Sequence, residues 1–159
     1  IDDLRLKLDE ANIKASVEVA GGIQMDSYPV SLAQVLTNLA INSLQHAFEP
    51  AGPGHISIRA VLSEHDEIRV EYCDDGKGVD PDLQSRIFDP FFTTSRKFGG
   101  SGLGLYIVNQ LITRQLHGSI TLEEKGGRGS CFVMYFPRVA RNPPDVGRIL
   151  TDLPRTVIE

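Results

Sequence analysis

The tightest constraint on the fold is a pair of alternating runs that almost touch in sequence. Residues 55–63 put Ile56, Ile58, Ala60 and Leu62 on one side, and residues 67–73 do the same with Ile68, Val70 and Tyr72. Only Glu64, His65 and Asp66 separate the runs. Alternation marks strands with one buried face, and so short a link joins antiparallel neighbours in a hairpin. A parallel connection would need a crossover of a dozen residues or more. A second strand pair is predicted at 119–124 and 130–136, joined by Gly126-Gly127-Arg128-Gly129. A further strand at 13–20 carries Ile13, Ala15, Val17 and Val19 at alternate positions.

Helical spacing fills the gaps. Leu4, Leu8 and Ala11 predict a short amphipathic helix over 2–12. A long helix at 30–48 follows Tyr28-Pro29, and the Pro50 to Gly54 stretch ends it. Pro81 opens a short helix through Phe88. A second long helix at 102–117 aligns Leu105, Val108, Leu111, Ile112 and Leu116, with His117 and Gly118 at its end. Strands in hairpins, not regular βαβ repeats, predict an α+β protein. The expected architecture is a two-layer α/β sandwich with a mixed sheet and helices on one face.

Composition narrows the function. The 159 residues suit one domain. With 41% hydrophobic and 23% charged residues, whole-chain disorder is excluded. A net charge of −5 argues against a nucleic-acid partner, although a local anion site can sit on an acidic protein. Cys73 and Cys131 lie in apolar, strand-like stretches and are expected as buried free thiols, not as a disulfide. No zinc-ligand spacing, signal peptide or spanning apolar run is present. The chain begins at Ile1, so it is expected to be a fragment of a longer protein. Residues 138–159, with Pro143, Pro144, Pro154 and four arginines, read as a tail or linker.

Three constellations bear chemistry. On the helix at 30–48, Asn38 and Asn42 are four apart and share a face, with Gln34 and Gln45 near it. Asparagine is a mediocre helix former, but its carbonyl oxygen suits Mg²⁺, which takes few protein ligands plus substrate phosphates. Next, Asp74-Asp75-Gly76-Lys77-Gly78 sits at a strand end. A carboxylate held at such a turn accepts a hydrogen bond from an amino group, as on adenine. Last, Gly99-Gly100-Ser101-Gly102-Leu103-Gly104-Leu105 leads into a helix. Unpaired amides at a helix start attract phosphate. This run lacks the Lys-[Ser/Thr] of a P-loop and does not follow a strand as a dinucleotide fingerprint does.

Taken in order, with Phe88-Asp89-Pro90-Phe91-Phe92-Thr93-Thr94 between the last two, these segments resemble the ATP-binding catalytic domain of sensor histidine kinases. That domain belongs to the superfamily shared with gyrase and MutL ATPases. Asn38 to Ser43 is similar to the N box, Asp74 to Gly78 to the first glycine box and Gly100 to Leu105 to the second. Phe88 to Thr94 is similar to the F box in its nitrogen-regulation-type form. Gly127-Arg128-Gly129-Ser130-Cys131-Phe132 matches the terminal glycine motif, with Ser130 where threonine is commoner.

The resemblance implies a Bergerat fold over 13–137, with residues 1–12 as a helix joining an upstream dimerisation region. It implies ATP and Mg²⁺ as cofactors. Asn42 would ligate Mg²⁺, Asp74 would bind the adenine amino group, and Gly76, Gly78 and Val79 would lie beside the base. The amides of Gly100, Ser101, Gly102, Leu103, Gly104 and Leu105 would cradle phosphates. Residues 89–101 would form a lid, bringing Phe91, Thr94, Arg96 and Lys97 to the nucleotide; Gln45, His46 and Ser130 would contribute further contacts. Hydrolysing relatives carry a glutamate where this chain has Asn38, and an amide is a poor proton acceptor. Asn38 and Asn42 are therefore the expected catalytic residues of a phosphotransferase, not of an ATP hydrolase.

None of His46, His55, His65 and His117 sits in the context of a phospho-accepting histidine. The acceptor is expected upstream of Ile1, on the parent's own dimerisation domain, and a response-regulator receiver domain would be the downstream partner. The implied parent is a homodimer, this fragment a monomer, and the domain cytoplasmic in a parent that is membrane-anchored or not. The alternatives are an anti-sigma-type serine kinase, which shares the fold, and a nucleotide-sensing interaction module without catalysis.

Overall fold

The computed structural model describes residues 2–49, 52–94, 101–123 and 128–139. In chain order the elements are α1 (Asp2–Glu10), β1 (Ile13–Val19), α2 (Pro29–His46), β2 (Gly54–Leu62), β3 (Glu67–Asp74), a 3₁₀ turn (Pro81–Arg86), α3 (Gly104–Gln110), β4 (Ser119–Glu123) and β5 (Ser130–Pro137). A wider π-helical stretch over Leu111–Gln115 continues α3. Elements thus fall where the periodicity puts them, with ends trimmed by a few residues. The predicted helix at 102–117 starts two residues later, and His117 takes the left-handed conformation at its end (φ 52°).

The five strands form one sheet in the order β1-β2-β3-β5-β4. β1 and β2 run parallel; the other three pairings are antiparallel. The hairpin between β2 and β3 closes with Ser63 N–H donating to Glu67 O at 2.7 Å, and Asp66 takes a positive φ of 59° there. The extended piece after Gly22 forms only a single bridge, Asp26 with Val139, and no strand.

Alternation sorts the sheet into two faces. The inner face carries Ile56, Ile68, Val70, Tyr72, Phe132, Met134 and Phe136 against Val35 and Leu39 of α2 and Val108, Ile112 and Leu116 of the α3 region. Phe88, just past the 3₁₀ turn, meets Phe132 edge-on at 6.4 Å. The outer face is mixed: beside the buried Val133 and Cys131, Arg69 pairs with Glu71 at 2.6 Å and donates to the Tyr135 hydroxyl at 3.1 Å. This is the α+β sandwich that the hairpins predict, with helices on one face.

The cysteines are a correction. Cys73 and Cys131 are directly opposite on β3 and β5, and their sulfurs are joined. Their Cα atoms stand 4.1 Å apart, at close cross-strand range. Both stretches were legible as strands, but the two cysteines lie 58 positions apart in sequence. Only the β3–β5 register makes them neighbours. Among the described residues no helix is long and apolar enough to cross a membrane.

Candidate functional site

Four stretches converge on a cleft of ≈ 840 Å³. From α2 come Asn38, Ile41, Asn42, Gln45 and His46, the i, i+3, i+4, i+7, i+8 face of one helix. The neighbouring stripe of α2, with Val35 and Leu39 fully buried, is packed into the core. One stripe therefore holds the helix in place while the next points its amides into the cleft. The turn after β3 adds Lys77, Gly78 and Val79, and the 3₁₀ region adds Leu83 and Ile87. Phe92, Thr93 and Thr94 face them, as do Ser101 to Leu105 at the start of α3.

Two glycines are required by geometry. A side chain at Gly76 would meet the Ala47 carbonyl oxygen at 2.4 Å, because the β3 turn docks on the end of α2. Lys77 N–H donates to that same carbonyl at 2.9 Å. Gly102 has φ +69°, and a Cβ there would lie 2.5 Å from the Phe91 carbonyl carbon. The second glycine box is thereby pressed against the F box. At Gly104 the opposite holds: an added Cβ would meet nothing within 4 Å, so the protein itself does not need a glycine there.

Asp74 lies at the end of β3 and is only 7% exposed. Its Oδ1 accepts from the amides of Gly76 (3.1 Å) and Ser130 (3.2 Å), and its Oδ2 from the Ser43 hydroxyl (3.0 Å). The Tyr72 hydroxyl donates in turn to Ser43 Oγ at 3.1 Å. Burial lifts the Asp74 carboxyl above the ordinary carboxylate range; these hydrogen bonds work against that rise, while Asp75 adds to it. His46 is shifted the other way, lowered by burial first and by the Lys77 charge second. Its Nδ1 stands 3.4 Å from Thr94 Oγ1, so α2 touches the end of the F box.

Of the residues expected at the site, Asn38, Asn42, Gln45, His46, Gly78, Val79, Thr94, Ser101, Gly102, Leu103, Gly104 and Leu105 line the cleft. Asp74, Gly76 and Ser130 do not line it but form one hydrogen-bonded cluster with Ser43. Phe91 is 42% exposed with φ 64°, and it is Phe92 that faces the cleft. Gln34 is exposed and away from it. Arg96, Lys97 and Gly100 lie outside the described residues. Sequence reasoning missed Lys77, although its place between two glycines marked it. It also missed the apolar lining of Ile41, Leu83 and Ile87. Apolar residues at helical spacing look alike whether they fill a core or line a pocket.

The donor set fits a magnesium nucleotide. Among the described residues no group of three or more His, Cys, Asp or Glu side chains is placed to hold a metal ion. A cation sharing its ligands between an asparagine oxygen and phosphates needs no such group. Asn38 Nδ2 is buried with no hydrogen-bond partner among the described residues. An orphaned buried donor is costly, and a phosphate oxygen in the cleft would satisfy it.

Comparison with known proteins agrees. The profile of the Histidine kinase-, DNA gyrase B-, and HSP90-like ATPase family matches residues 27–140. The sensor histidine kinase ZraS of Salmonella typhimurium is 40% identical over 119 residues, covering 75% of this chain and 24% of ZraS. The sensor protein kinase PilS of Pseudomonas aeruginosa is 37% identical, covering 74% of this chain and 22% of PilS. The chain thus spans about a quarter of the length of these relatives. The solved catalytic domain of histidine kinase ThkA superposes with a TM-score of 0.72 at 27% identity over 87% of each chain. Full-length ShkA, solved in complex with AMPPNP, gives 0.67 at 26% identity over 89% of this chain and 29% of ShkA. With the ordered motifs folded around one cleft, the chain belongs to the histidine kinase-, gyrase B- and HSP90-like ATPase family, as an ATP-binding catalytic domain of the sensor histidine kinase kind.

Proposed function

We propose that this domain binds Mg²⁺–ATP in the cleft and transfers the γ-phosphoryl group to a histidine on a dimerisation domain of the parent protein. The observation that carries the reading is the row Asn38, Asn42 and Gln45 facing the Ser101–Leu105 stretch across one cavity. In this reading Asn42 offers its amide oxygen to the cation, and Asn38 donates its unpartnered Nδ2 to phosphate. The amides from Ser101 to Leu105 hold the remaining phosphate oxygens. Asp74, set behind the cleft lining and 7% exposed, accepts from the adenine amino group, with Gly78 and Val79 along the base. Lys77 adds a positive charge at the cleft wall. When bound, the cation neutralises phosphate charge as it develops.

Phosphoryl transfer needs positioning and charge neutralisation more than a covalent partner. An amide at Asn38 supplies no base for activating water, which favours transfer over hydrolysis. The Asp-Pro-Phe-Phe-Thr-Thr form of residues 89–94 supports the nitrogen-regulation-type subgroup. We assign residues 1–12 to the junction with the dimerisation region and a receiver domain to the next step in the relay. The parent would be a homodimer and this domain would face the cytoplasm.

Calorimetric titration with ATP, with and without Mg²⁺, tests the site. Wild-type binding should saturate. Asp74→Ala should weaken it, and Asn42→Ala should make it less dependent on Mg²⁺. Absence of wild-type binding would sink the reading and favour a non-catalytic interaction module.

A further inference from the structure

We propose that Ser43 and Tyr72 form a two-hydroxyl relay that positions the Asp74 carboxylate and leaves it one free acceptor site for a purine amino group. This rests on the reading of Asp74 as the base-recognising residue. A carboxylate accepts about four hydrogen bonds. Three are made among the described residues, by the Gly76 and Ser130 amides and the Ser43 hydroxyl. The remaining site is on Oδ2, the oxygen that Ser43 touches. Ser43 thus acts as a positioning residue, because its hydrogen bond sets which lone pair of Oδ2 stays open.

Ser43 has a direction to keep. A serine inside a helix ordinarily turns its hydroxyl back to the preceding turn. Here it is 1% exposed and donates across to β3 instead. Tyr72, fully buried, donates to Ser43 Oγ. The phenol occupies an acceptor position of the serine oxygen and leaves its proton for Asp74. Burial raises the Tyr72 phenol, so it remains a donor across the physiological range. One position of α2 therefore serves the phosphate end through Asn42, and the next serves the base end through Ser43.

The relay also bears on ionisation. A hydrogen bond donated to the charged form favours that form, so loss of Ser43 should raise the Asp74 carboxyl further. Among the described residues, few titratable groups face it. Tyr72 and Asp75 stand on its own strand end, and β2 presents the uncharged Ile56 opposite. The Ser130 amide comes from β5. His46 and Lys77 border the adjoining cleft.

The test is ATP affinity by calorimetry from pH 5 to 8 on the full chain, beside ITP, whose base has an oxo group in place of the amino group. Wild type should prefer ATP and lose that preference in acid. Ser43→Ala should weaken ATP binding at pH 7 by about ten-fold, the scale of one charge-assisted hydrogen bond, with ITP binding unchanged. Its acid midpoint should rise by about one pH unit, the equivalent of that loss. Tyr72→Phe should move the midpoint the same way by less, since it acts through Ser43. Asp74→Ala should bring ATP binding to the ITP level and abolish the acid limb. If Asp74→Ala does this while both hydroxyl variants keep the wild-type midpoint and preference, the relay is overturned and the base site stands. If Asp74→Ala leaves ATP binding intact, the base site is overturned and the relay with it.

Discussion

The two walls of the cleft are built differently. The α2 wall is anchored on both flanks: Val35 and Leu39 are fully buried in the core, and the β3 turn is hydrogen-bonded to the helix end. The opposite wall, residues 88–94 and 101–105 among those described, holds no fully buried side chain. Its contacts include Phe92 and Leu105 packed on the core, the edge-on Phe88–Phe132 pair, the 4.9 Å approach of Arg86 to the Phe92 ring, the Thr94–His46 contact, and the close seating of Gly102 on Phe91. Stability and ligand affinity should therefore separate by wall. Damage to the first should unfold the domain, and damage to the second should change what it binds.

The largest expected effect sharpens that contrast from the anchored side. Leu39→Ala removes a fully buried side chain between α2 and the sheet. It should cost about 2–5 kcal/mol of folding stability in urea denaturation. A loss below about 1 kcal/mol would mean the α2 wall is not held by its core stripe.

Asp74→Asn comes next and should split the two properties. Losing a charge-assisted acceptor should weaken ATP binding by about 1.5–3 kcal/mol in calorimetry. Burial raises the Asp74 carboxyl in the fold. A carboxyl raised in this way stabilises the fold below its unfolded pKa of about 3.9. That contribution is lost as pH rises through the folded value. At neutral pH the ionised group is a cost to the unliganded fold. Asp74→Asn should thus raise the unliganded denaturation midpoint at pH 7, with the gain shrinking towards pH 4. An unchanged midpoint across that range would contradict the burial of a charge there.

The second wall is tested by two glycines. Gly102→Ala puts a side chain at φ +69° and against Phe91 backbone. Strain of about 1–2 kcal/mol is expected from the left-handed conformation alone, and it should appear as a lowered urea midpoint of the unliganded protein together with weaker ATP binding. Gly104→Ala meets open space in the protein and stands at the first position of α3. It should leave folding unchanged or improve it by about 0.5–1 kcal/mol while still hindering phosphate approach. Equal effects of the two substitutions on the unliganded protein would erase the distinction between them.

Much of the fold was legible because its signals are local. Ile56, Ile58 and Ala60 alternate within one strand, and Leu105, Val108 and Ile112 repeat within one helical stretch. The cleft's polar face was legible for the same reason, since Asn38, Asn42 and Gln45 lie on one helix surface by spacing alone. The apolar lining was not. Ile41 and Leu83 carry no mark that separates a pocket wall from a core.

What the sequence determined by itself is therefore the inventory: strands, helices, the hairpin between β2 and β3, and the ordered chemical motifs. Tertiary structure decided how distant pieces meet. It set β1 parallel to β2, inserted β5 between β3 and β4, and put Cys73 opposite Cys131. It also brought Ser43 of α2 within hydrogen-bond reach of Tyr72 and Asp74 of β3. Periodicity is written in neighbours a few residues apart, where backbone geometry dictates it. Strand pairing and helix-to-sheet contacts depend instead on which apolar faces close over one another, and that is settled only when the whole core packs.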